Sequence, residues 1–75
     1  MAINWRKHIT SNPQMHHGRP TIRGMRITVV DVLDNLSSGM SVEDLLADFP
    51  ELTRDDVQAC LSFAAEQMRQ TTAFA

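Results

Sequence analysis

One local pattern, used three times, sets the main constraint on this chain. Thr28 is followed at the third position by Asp31, Ser41 by Asp44, and Thr53 by Asp56. A helix begins with backbone N–H groups that lack partners. A hydroxyl can cap one of them while an acid three residues on reaches back. Each pattern leads into apolar residues at helical spacing: Val29, Val32, Leu33 and Leu36; Val42, Leu45, Leu46 and Phe49; and Val57, Cys60, Leu61, Ala64 and Met68. Gly39 stops the first helix and Pro50 the second. Three caps worth about 1 kcal/mol each agree with the apolar period, so three helices are predicted over residues 28–70. The second helix, its tight connector and the third have the outline of a helix-turn-helix.

The first 27 residues follow different rules. Asn12-Pro13 signals a turn. The segments Pro20-Thr21-Ile22 and Arg26-Ile27-Thr28 favour extended backbone on either side of Arg23-Gly24, which predicts two short strands joined by a turn. Trp5 and Ile9 are expected to anchor the leading arm, and Ile22 and Ile27 to face the helices. The expected fold class is mainly α: a three-helix bundle with a short N-terminal β-arm or hairpin. It forms one domain, with a basic arm over 1–27, the bundle over 28–70 and a frayed tail over 71–75.

Charge divides along the same line. Residues 1–27 carry Arg6, Lys7, Arg19, Arg23 and Arg26 and no acid, giving +5. Residues 28–75 carry Arg54 and Arg69 against nine acids, giving −7. Either two faces meet different partners, or the positive half pairs with the negative one. A chain of 75 residues has a marginal core, and oligomerisation is one remedy. One cysteine and the lack of a membrane-length apolar run fit a cytoplasmic protein.

Catalysis finds little support. His16 and His17 are adjacent, so in extended backbone their side chains diverge, and neither has a metal-ligand partner at helical spacing. Cys60 lies on the third helix's apolar stripe, where a thiol is structural. No enzyme activity, metal or cofactor is expected. Nucleic acid fits better, since affinity for a duplex comes chiefly from cations meeting phosphates. The candidates are Arg6, Lys7, Arg19, Arg23 and Arg26 from the arm, with Arg54 and Gln58 on the third helix. For a protein partner the candidates are Phe63, Gln67, Gln70 and Phe74, on one side of that helix. Phe63 either meets a partner or packs back on the arm.

The stretches "SNP", "GRPTIRGMRITVVDVL" and "LSSGMSVEDLLADFPELTRDDVQACLSFA" together resemble a small bacterial family known as domain of unknown function 433. Pro13, Gly18, Pro20, Ile22, Gly24, Arg26 and Ile27 match its N-terminal motif, and Gly39, Pro50, Leu52 and Thr53 its helical part. Asn12 stands where aspartate is usual, and Met25 where threonine is usual. The resemblance implies a homeodomain-like three-helix fold and an antitoxin that represses its own operon and neutralises a PIN-like ribonuclease toxin. Expected partners are therefore a second copy, operator DNA and a cognate toxin. Asp48, Glu51, Asp55 and Glu66 are candidates to mimic RNA in a basic toxin cleft. A protein-interaction adaptor without nucleic-acid binding is the alternative. Arg26 is expected to pair with Asp31 or Asp56, leaving Arg19 and Arg23 to face outward.

Overall fold

The computed structural model describes residues 3–14 and 16–71. Two short strands, β1 (Ile9–Ser11) and β2 (Pro20–Ile22), precede three helices, α1 (Val29–Ser37), α2 (Val42–Asp48) and α3 (Arg54–Gln70). A single 3₁₀ turn at Trp5–Lys7 leads into β1, and a tight turn over His16–Gly18, with His17 at φ 57°, leads into β2. The molecule is mainly helical, with a β-hairpin at its N-terminal end, as the sequence implies.

All three helices start at the anticipated hydroxyl. The Asp31 N–H donates to Thr28 Oγ1 at 3.0 Å, and the Thr28 N–H returns a bond to the Asp31 carboxylate at 3.0 Å. Thr53 and Asp56 form the same reciprocal box at 3.1 and 3.0 Å. Ser41 is only half of one: its hydroxyl accepts from the Asp44 N–H at 3.0 Å, and the cap is a single bond rather than the expected box.

The hairpin pairs differently from expectation. β1 and β2 run antiparallel with Ile9 opposite Ile22, Thr10 opposite Thr21 and Ser11 opposite Pro20. The segment expected to mirror β2, residues 26–28, contributes one bridge, Thr21 to Thr28, beside an Ile22 N–H bond to the Ile27 carbonyl at 3.0 Å. The pairing stops there because Thr28 is committed to capping α1. Between them the chain reverses at Arg23-Gly24, with the Met25 N–H bonded to the Ile22 carbonyl at 2.8 Å. Both central residues have positive φ, 48° and 74°, as a type I′ turn requires.

Ile9 and Ile22 of the hairpin meet Val29, Val32, Leu45, Leu52, Val57, Ala59 and Cys60 in one core. The phase of α3 corrects the sequence reading. Leu61 and Met68, assigned to the apolar stripe, are 42% and 56% exposed, while Asp56 and Ala59 are fully buried. A reading by hydrophobicity favours large side chains, whereas this helix buries small ones and a charged one that finds partners.

Candidate functional site

The most highly built cluster lies where the hairpin turn meets the start of α3. Asp56 has no exposed surface, although it is an acid. Arg23 reaches it with two nitrogens, Nε to Oδ1 at 3.1 Å and Nη2 to Oδ2 at 2.8 Å, and Nη2 also donates to the Glu51 carbonyl at 2.9 Å. His8 Nδ1 donates to Oδ1 at 2.8 Å, and the Thr53 N–H completes the set. Burial alone would push the Asp56 carboxyl up. Hydrogen bonds from Arg23, His8 and Thr53, with the charge of Arg23, outweigh it and hold the group at about 2. The Arg23 N–H also bonds the His8 carbonyl at 2.8 Å, so backbone and side chain tie the turn to the arm and to α3 together. A non-glycine residue at φ 48° is costly, and these bonds hold it there.

A second contact docks the leading arm further along α3. The Trp5 and Phe63 rings meet edge to face, with centroids 4.7 Å apart. The Arg6 guanidinium lies 4.4 Å from the Trp5 ring centroid and pairs with Glu66 at 3.1 Å. Of the two roles open to Phe63, packing on the arm is the one adopted. Gln67 and Gln70 are exposed. Phe74 lies outside the described residues.

These contacts redistribute the basic candidates. Arg23, expected to face outward, is the anchor to Asp56; Arg26, expected to pair with Asp31 or Asp56, is exposed. The turn explains the exchange, because Arg23 sits at its first central position beside the start of α3. Arg6 pairs with Glu66, and Arg54 with Glu43 of α2. Lys7, Arg19 and Arg26 are exposed and have no acidic partner among the described residues. Gln58 is exposed on the outward face of α3 next to Leu61, Ala65 and Met68, which is an apolar setting for a reader of base edges.

His8 and Asp56 as a linked pair escaped the sequence reading, because 48 residues separate them. The local signal at Asp56 is the capping pattern it shares with Asp31 and Asp44, which does not single it out. Cys60 is fully buried, and burial, followed by the nearby Asp56 charge, pushes its thiol up to about 12. Among the described residues no three metal-ligating side chains cluster and no pocket opens. None of their helices is long and apolar enough to cross a membrane.

A family model described as "Protein of unknown function (DUF433)" matches residues 9–64. The chain is 34% identical over 59 residues to the uncharacterised protein y4eO of Sinorhizobium fredii (strain NBRC 101917 / NGR234). That match takes in 79% of this chain and 27% of the relative, so the chain spans about a quarter of that protein's length. A crystal structure of a DUF433 member from Anabaena variabilis (ATCC 29413) superposes with a TM-score of 0.77 at 29% identity. It takes in 83% of this chain and 61% of the other.

Proposed function

The chain belongs to the DUF433 family, and from that premise we propose that it is an antitoxin-like module of the cytoplasm. In this reading it covers a PIN-like ribonuclease and binds the DNA of its own operon through the N-terminal arm. The observation that supports it is the exposure of Lys7, Arg19 and Arg26, without acidic partners among the described residues. Such cations gain by meeting phosphates. α3 is assigned no reading of bases: Arg54 is held by Glu43, Asp55 would face phosphates, and the outward face is apolar. Asp48, Glu51 and Asp55 are exposed and supply negative charge toward a basic cleft, whereas Glu66 is engaged by Arg6.

The test is binding of the purified chain to its upstream DNA across a salt series, beside an unrelated fragment. Arg19→Ala/Arg26→Ala should flatten the slope of log K against log salt by about 2, one unit for each phosphate that is no longer neutralised. Neutralising Asp48, Glu51 and Asp55 together should weaken inhibition of an adjacently encoded ribonuclease. A variant pair that leaves both readouts unchanged would sink the proposal. The adaptor reading draws on a different observation: Arg6 and Arg23, two of the five arm cations, are engaged internally. Absence of DNA binding at low salt would select it.

A further inference from the structure

Among the described residues, nothing covers the outward face of α3. Gln58, Leu61, Ala65 and Met68 recur at spacings of three and four and are all exposed. They lie opposite the side that buries Asp56, Ala59 and Cys60. Exposing Leu61 at 42% and Met68 at 56% on one stripe of so small a protein is unfavourable, and this is the seam spacing of paired helices. Asp55 and Arg69 flank the seam on the same side, near opposite ends of the helix, and both are exposed. Neither makes a side-chain ion pair among the described residues.

We propose that this face seats a second copy of the chain, with the two α3 helices antiparallel about a twofold axis and Asp55 of each copy beside the partner's Arg69. Seam residues whose numbers complement each other then meet. Leu61 packs on the partner's Ala65 and Gln58 on the partner's Met68, each contact occurring twice, with large side chains set against small. Asp55 and the partner's Arg69 fall on neighbouring flanking positions of this register. A parallel arrangement would instead put Asp55 and the partner's Asp55 on opposite edges of the seam at one end and the two Arg69 side chains on opposite edges at the other, so that neither charge meets its complement. Charge therefore selects the orientation, and the opposed helix dipoles agree with it. A helix of 17 residues gives a contact about 25 Å long, below the area of standard interfaces, so the dimer is weak, with Kd on the order of 10–100 µM. The proposal uses only the α3 surface and shares one residue, Asp55, with the toxin reading; its test reads self-association alone, so its failure leaves the DNA and toxin readings standing.

Sedimentation equilibrium of the full chain from about 10 µM to 1 mM tests it, with far-UV circular dichroism as the control for folding. The wild-type chain should dimerise with concentration. Asp55→Arg or Arg69→Asp alone brings like charges together twice, and should weaken association about tenfold. Mixed in equal amounts, those two variants should recover wild-type affinity, since each supplies the charge the other lacks. Leu61→Lys, on an exposed position, should abolish the dimer with the fold unchanged, and serves where a charge reversal perturbs the helix ends. A wild-type chain monomeric at 1 mM overturns the proposal. So does a dimer indifferent to Leu61→Lys, or one whose charge variants fail to recover on mixing.

Discussion

The helices and the arm are held by bonds of very different reach. Each helix starts on a bond between residues three apart, Thr28 with Asp31, Ser41 with Asp44 and Thr53 with Asp56. The arm's side-chain bonds to the bundle reach much further along the chain: Arg23 to Asp56 across 33 residues, His8 to Asp56 across 48 and Arg6 to Glu66 across 60. Asp56 belongs to both sets. It caps α3 as Asp31 caps α1, and the same two oxygens take the arm's arginine and histidine. Local bonds thus specify where elements begin, and one of them doubles as the joint that fixes the arm's position.

Substitution at that joint separates the local from the non-local share of stability. Asp56→Ala removes half a capping box, the Arg23 ion pair and the His8 bond, and should cost about 3 kcal/mol in denaturant unfolding. Asp31→Ala removes only its half of a box and should cost about 1 kcal/mol. The gap of about 2 kcal/mol is the non-local share. Equal costs would mean that the arm adds nothing through Asp56.

Acid provides a second approach to the same joint. Asp56 in the folded protein titrates at about 2, against the ordinary 3.8. Between those values the unfolded chain binds the proton more readily. The stability contributed by this carboxylate is complete above about pH 4 and is lost as pH falls toward 2, an effect of about 2 kcal/mol. Subtracting the Asp56→Asn stability profile from that of the wild type should leave a step confined to this window. A flat difference would show that Arg23 and His8 do not favour the ionised form.

The same difference in reach explains how much of the molecule could be read from its sequence. Hydroxyl–aspartate spacing and Pro20-Thr21-Ile22 announced the helix starts and one strand, because each signal lies within the element it creates. The partner of β2 was missed because β1 lies across a loop, while the nearer segment ends in the Thr28 cap. The roles of Arg23 and Arg26 were exchanged for a similar reason. They are three residues apart in a basic stretch, and only the positive φ values at Arg23 and Gly24 decide which of them reaches α3. The family motif was legible residue by residue, yet a motif of turn glycines and short strands specifies a fold and leaves the binding surface unstated.

Phe63 tests whether arm and bundle are one cooperative unit. Phe63→Ala removes half of the ring contact with Trp5 and should cost about 2 kcal/mol, less than a fully buried phenylalanine because both rings are only partly covered. Trp5 is the chain's one tryptophan, so its fluorescence reports arm docking while far-UV circular dichroism reports the helices. In the wild type the two unfolding curves should coincide. In the variant the fluorescence curve should move to lower denaturant first, since Asp56 still holds the turn but not the leading segment. Coincident curves in both proteins would make arm and bundle inseparable, and the distinction between near and far bonds would carry no weight for stability.

The smallest expected effect isolates burial from distance. Arg54 and Glu43 also form an ion pair between separate elements, α3 and α2, eleven residues apart. Both side chains are largely exposed, at 63% and 69%, whereas Asp56 is at 0%. The pair lowers the Glu43 carboxyl through the Arg54 hydrogen bond, a local effect that water and salt screen. Glu43→Gln should therefore leave the denaturation midpoint indistinguishable from wild type, and raising salt should change neither protein relative to the other. If Glu43→Gln instead shifted the midpoint as far as Asp31→Ala, reach alone would govern these bonds. If it does not, the weight of the Asp56 joint comes from a carboxylate withdrawn from water with every one of its partners in place.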